Sequence, residues 1–170
     1  MKLAERTTKR RVFALHLPQG HRNEHFLANS LLLHRSINKI QKLVTCNNEV
    51  FTGVIGIGHS KGAILLAERQ FAKHPSAIRI IKTISLAGRL KVSTDDKSCP
   101  ELLKEKIESI HRKILKKNDR PIVQLIPERD WNAPYDSMAP RPHQDCYKIP
   151  GMHLSSLFSD KLAELLIQKI

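Results

Sequence analysis

Apolar residues recur along this chain in two alternating rhythms. Short runs of branched residues, closed by glycine or proline, are separated by longer stretches in which apolar positions return every three or four residues, as on one face of a helix. Arg11 to Leu17 is the first short run and ends at Pro18-Gln19-Gly20, which is turn chemistry. From Asn23 to Val44, Leu33 is followed by Ile37, Ile40 and Val44 at offsets of four, seven and eleven, which predicts a helix. Thr45 to Asn48 breaks it, and Val50 to Ile57 forms the second strand. A helix from Gly62 to Lys73 stops near His74-Pro75, and Ile78 to Leu86 is the third strand, closing at Ala87-Gly88. Ser98-x-x-Glu101, with Pro100 inside it, has the form of a capping box. It opens a helix to Lys117 with Leu103, Ile107, Ile110 and Ile114 on one face. Pro121 to Ile126 gives a fourth strand, the proline-rich polar stretch up to Gln144 a surface loop, and Cys146 to Ile149 a short fifth strand. After Pro150-Gly151 a last helix runs from Ser156 to Lys169.

Strands that alternate with helices in this way predict an α/β fold, a mostly parallel sheet with helices on both faces. Residues 11–170 suit one domain, with residues 1–10 as a basic, solvated tail. A chain of 170 residues buries a real core but is short for an enzyme with a large open sheet, so a trimmed version of its fold is expected.

The sharpest local signal lies where the second strand meets its helix. Val54-Ile-Gly-Ile-Gly58-His59-Ser60-Lys61-Gly62 has the Gly-x-Ser-x-Gly form of a nucleophile elbow, in which a strained strand-to-helix turn lifts the serine hydroxyl above the sheet. The glycines two residues either side are expected to relieve clashes in that turn. Two phosphate-binding patterns fit less well. A P-loop needs Lys followed by Ser or Thr after its last glycine, whereas Ser60 precedes Lys61, and Gly56-x-Gly58-x-x-x-Gly62 misses the dinucleotide spacing by one residue.

Charge and composition narrow the partners. The net charge of +13, from 29 basic and 16 acidic side chains, favours anionic ligands. With aromatics at only 5% and no nucleic-acid motif, a base-stacking platform is not expected. Cys46, Cys99 and Cys146 are far apart and lack metal-ligand spacing, so neither a disulfide framework nor a metal site is expected and a reducing, cytoplasmic setting is. The sequence has no apolar run approaching eighteen residues, hence no transmembrane segment is expected.

In open parallel sheets, reactive residues gather beyond the carboxyl ends of the strands. Ser60, Asp130 and His153 lie there in the chain order of hydrolases that use this elbow. Histidine titrates near neutrality and can take the serine proton, while the aspartate fixes its tautomer. Glu128 and Asp136 are alternative acids, and His143 is an alternative base that does not directly follow a strand. His59 reads as a packing or hydrogen-bonding neighbour of the elbow.

Gly56-Ile57-Gly58-His59-Ser60-Lys61-Gly62-Ala63, Glu128-Arg129-Asp130-Trp131-Asn132 and Pro150-Gly151-Met152-His153 together resemble an α/β-hydrolase. Ser60-Lys61-Gly62 followed by Ser85-Leu86-Ala87-Gly88 is more specifically similar to the C-terminal domain of the acyl-CoA thioesterase and bile acid-CoA:amino acid N-acyltransferase family. That resemblance implies a shortened α/β-hydrolase fold, Ser60, Asp130 and His153 as catalytic residues, and an acyl thioester substrate whose coenzyme A is part of the substrate, with no separate cofactor. The backbone N–H of Lys61 is the expected oxyanion donor, and Trp131 either lines an acyl pocket or belongs to the core. Aligned on these motifs, Val12 to Leu17 corresponds to the strand just before the nucleophile strand. The family's earlier strands, which carry the second oxyanion donor, and its N-terminal β-sandwich domain have no counterpart in the chain. The resemblance adds the peroxisome as a second compartment, although Gln168-Lys169-Ile170 is not the usual peroxisomal address. Three readings follow: a thioester hydrolase or acyltransferase, an ester or lipid hydrolase of the same fold, and a truncated relative that binds a partner or itself through an exposed sheet edge.

Overall fold

The computed structural model describes residues 12–17, 23–45, 53–72, 78–91, 101–116, 122–130 and 145–170. Helix α1 is Asn23–Thr45, strand β1 Val54–His59, helix α2 Lys61–Phe71 and strand β2 Ile80–Leu86. They are followed by α3 Glu101–Lys116, β3 Ile122–Pro127, β4 Cys146–Ile149, a 3₁₀ turn Ser155–Phe158 and α4 Asp160–Lys169. The four strands pair in the order β1-β2-β3-β4, all parallel. The α/β class expected from the sequence is therefore the class observed.

Because the strands are added in one direction, right-handed crossovers deliver the linking helices to the same face. On that face Ile64, Leu65, Ala67 and Phe71 of α2 meet Leu33 and Ile37 of α1, Ile107 and Ile110 of α3, and Ile80 and Leu90. Lys106 on α3 donates to Glu68 on α2 at 2.5 Å and ties the two helices. α4 follows the last strand and covers the opposite face, where Leu162 and Leu166 pack on Ile84, Leu86, Val123, Leu125 and Ile149. Lys82 donates to the carbonyl of Lys169, so a strand cation meets the negative end of α4. Lys169 in turn stands over the Tyr147 ring, 4.4 Å from its centroid.

The first predicted strand does not form. Val12 to Leu17 lies outside any regular element, with Val12, Phe13 and Leu15 exposed and Leu17 packed against the core. A strand without a paired neighbour gives up backbone entropy for no ladder hydrogen bonds, and among the described residues β1 pairs with β2 alone. The sheet accordingly has four strands among the described residues, not five, and β1 is an edge. The last predicted helix is also divided: Ser159, extended at φ −74° and ψ 131°, separates the 3₁₀ turn from α4. The break at Thr45–Asn48 except Thr45 itself, the turn at Pro18–Gly20, and Ser98 and Pro100 of the capping box lie outside the described residues.

The glycines around the elbow divide unequally. A Cβ on Gly58 would sit 2.6 Å from the backbone nitrogen of Ala63 and 2.7 Å from its Cα, so β1 and the start of α2 approach too closely for any side chain. A Cβ on Gly62 would meet nothing within 4 Å, which corrects the expectation that both flanking glycines relieve clashes. Gly88 is the second glycine that matters: a Cβ there would lie 2.5 Å from the Ala63 Cβ, 2.6 Å from Ser85 Oγ and 3.3 Å from the Ser60 carbonyl oxygen. We expect Gly58→Ala and Gly88→Ala each to destabilise the fold by about 1–3 kcal/mol through overpacking. Gly62→Ala, inside a helix with room for the methyl, should be neutral or stabilising by up to about 1 kcal/mol. Urea unfolding midpoints of the three variants check this.

Candidate active site

The site is assembled at the carboxyl end of the sheet. Ser60 follows β1 directly and adopts φ 53° and ψ −123°, a backbone region that costs a non-glycine residue on the order of 1–3 kcal/mol. Three contacts hold it there. Its N–H donates to the Leu86 carbonyl at 2.8 Å, extending the β1–β2 ladder by one residue, its carbonyl accepts from Ala63 N–H at 3.1 Å, and Gly88, in the loop after β2, leaves so little room beside it that a Cβ there would lie 3.3 Å from the Ser60 carbonyl oxygen. The strain expected of a nucleophile elbow is thus present. Lys61 is the first residue of α2, so its N–H lies at the positive end of the helix dipole, beside the serine.

Asp130 stands just past β3, and its side chain is wholly buried. The N–H groups of Glu128 and Arg129 donate to the carbonyls of Ile149 at 3.0 Å and Gly151 at 3.2 Å, so the turn after β3 is stitched to the turn after β4. Gly151, at φ 102°, makes the sharp bend, and Met152 N–H donates to Ser155 Oγ at 2.8 Å. This brings His153, whose side chain is 14% exposed, within 2.7 Å of Asp130: the ring Nδ1 donates to Oδ2. A carboxylate only accepts, so the imidazole carries its proton on Nδ1 and presents Nε2 as a base.

His59, the last residue of β1, donates from Nε2 to the carbonyl of His153 at 2.9 Å. Its ring lies 4.8 Å from the His153 ring, tilted by 53°. Burial lowers its pKa below the ordinary 6.5; the bond to the His153 carbonyl opposes that, the adjacent His153 adds to it, and Asp130 opposes it again. The structure therefore brings Asp130 and His153 into direct contact and places the residue before Ser60 against His153. Among the described residues no hydrogen bond joins Ser60 to His153.

Glu128 is exposed, and among the described residues Asp130 is the acid hydrogen-bonded to His153. Trp131, Asp136 and His143 lie outside the described residues. Sequence reasoning did not find the exposed apolar residues that bracket the base: Met152, Leu154, Leu157 and Phe158 are 51, 64, 39 and 87% exposed. Their signal was present as an apolar cluster beside the Pro-Gly turn. A cavity of about 100 Å³ beside the acid is lined by Ile126, Pro127, Glu128, Asp130 and Lys148. A larger one, about 390 Å³, lies between α1 and α2 and includes none of Ser60, Asp130 and His153. Cys146 is a free thiol, 3.6 Å from Gln124 Oε1, and burial followed by Asp145 raises its pKa. Among the described residues no group of His, Cys, Asp and Glu is arranged to hold a metal, and no helix is long and apolar enough to cross a membrane.

His59 gives the fold a defined pH dependence. Its folded-state pKa lies below the unfolded value of 6.5, so the unfolded chain binds the proton more tightly. Stability should fall as pH drops through that value, and His59→Gln should flatten that part of the curve, as thermal unfolding from pH 8 to pH 5 will register.

Neither a protein-family model nor a curated protein matches the chain.

Proposed function

We propose that the chain is a serine hydrolase that cleaves activated acyl groups, most directly an acyl-CoA thioester. The observation that carries this reading is the hydrogen-bonded Asp130–His153 pair at the same sheet end as a strained Ser60. Ser60 Oγ attacks the thioester carbonyl while His153 Nε2 takes its proton, and Asp130 stabilises the imidazolium that results. Lys61 N–H and the α2 dipole face the developing oxyanion. Collapse of the tetrahedral intermediate breaks the C–S bond, and the departing thiolate receives the proton from His153. Water then gives a proton to His153 and attacks the acyl-enzyme, releasing the acid and restoring Ser60. An amine in place of water would make the same site an acyltransferase.

Two features favour an acyl substrate bearing an anionic carrier. Met152, Leu154 and Phe158 form an apolar surface next to the base, suited to a hydrocarbon chain. The net charge of +13 favours the phosphates of coenzyme A. Lys61 N–H is the oxyanion donor we assign among the described residues, and such a donor is worth on the order of 10²–10³ in rate. An ester of the same acyl chain would use the same three residues.

A binding role is the second reading, favoured by the outer edge of β1, which no strand among the described residues pairs with and where Ile57 is 40% exposed. A parallel edge of this kind can recruit a further strand, including one from a second copy. Cytoplasm is the compartment we propose, on the wide spacing of the three cysteines in the sequence and the free thiol of Cys146 alone.

Thiol release from palmitoyl-CoA by the purified chain tests the leading reading. Ser60→Ala should abolish it, Asp130→Asn should reduce it by at least about a hundredfold, and a palmitoyl ester should be cleaved more slowly. Phe158→Ser with Leu154→Ser should raise KM for palmitoyl-CoA while leaving acetyl-CoA unaffected. A folded chain without turnover, forming dimers that Ile57→Lys disperses in sedimentation, would support the binding role instead.

A further inference from the structure

Ser60 and His153 hang from opposite edges of the sheet. β1 is the first strand and β4 the last, and three interstrand steps amount to roughly 14 Å. The turn after β4 must therefore carry His153 back over the ends of β3 and β2 to approach the serine. Asp130 orients the ring, and the bonds from Glu128 and Arg129 fix the turn to β3. None of these reaches β1.

We infer that His59 is the positioning residue that ties the base-bearing turn to the nucleophile strand, by donating its Nε2–H to the His153 carbonyl and packing its ring against the His153 ring. This deepens the hydrolase reading and rests on it for its catalytic consequence. A carbonyl only accepts, so the bond fixes the His59 proton on Nε2. Ser156 Oγ also approaches that carbonyl, at 3.5 Å, but from within the same turn, so it adds no link to β1. His59 pairs with Leu86 and is the residue before Ser60, which means its anchor is the strand that sets the serine's position. The groups facing it are His153 and Asp130, and burial keeps it neutral. A second cation beside His153 would oppose protonation of the base; a neutral donor holds the turn without that cost.

Two substitutions separate the donor from the ring. His59→Phe keeps the ring and removes the donor, and His59→Gln restores a donor near the Nε2 position. We expect kcat on palmitoyl-CoA to fall about ten- to a hundredfold in His59→Phe with KM little changed, since misplacement of a catalytic group by about 1 Å costs that much. His59→Gln should recover most of the loss. Nitrogen-15 NMR of the wild-type imidazoles, which needs no turnover, should find His59 protonated on Nε2 and coupled through its hydrogen bond to the His153 carbonyl. A His59 protonated on Nδ1, or an active His59→Phe with unchanged kcat, overturns the inference. A wild-type chain that turns over nothing but shows the Nε2–H form and the coupling sinks the hydrolase reading and leaves the tether standing.

Discussion

The close approach between the backbone of β1 at Gly58 and the first turn of α2 at Ala63 is the constraint on which the site depends. It leaves no room for a side chain and forces the connecting residue, Ser60, into a conformation that other residues avoid. The cost is met by ordinary packing: Ala63, Ile64 and Ala67 are buried against β1 and β2, and Gly88 allows the next loop to close over the serine's backbone. The serine turn and the core are thus one construction.

Asp130 and His153 arrive at the same end of the sheet as Ser60 by different routes. Asp130 is supplied by a central strand and is buried where a carboxylate needs a partner. His153 is that partner, delivered from the far edge by a turn whose backbone is bonded to the β3 turn and, through His59, to β1. The sheet order makes this cross-linking necessary. The crossover helices occupy one face, α4 is the helix on the other among the described residues, and the apolar residues of the preceding 3₁₀ turn are exposed close to His153 in the chain.

Much of this was legible in the sequence because the relevant signals were local. The period of α1, the branched residues of β2, the elbow glycine at 58 and the proline-glycine break before His153 each state their structure within a few residues. What failed depended on neighbours. Val12 to Leu17 has strand chemistry, but a strand exists only where another strand pairs with it, and nothing in the run itself says that it lacks one. Gly62 was credited with a role that belongs to Gly88, because the motif counts positions along the chain whereas clashes are set by the neighbouring loop, 25 or more residues away. His59 was legible as a neighbour of the elbow but not as a bond to residue 153, a contact that only the sheet order creates.

The proposed function stands on Ser60 being a nucleophile activated by His153 and Asp130. Treatment of the folded chain with a fluorophosphonate, followed by peptide mass spectrometry of the adduct, tests this directly. One adduct per chain is expected, on Ser60, formed much more slowly in Asp130→Asn and absent from Ser60→Ala. Failure to label a folded wild-type chain, or an adduct on another residue that persists in Ser60→Ala, would contradict it.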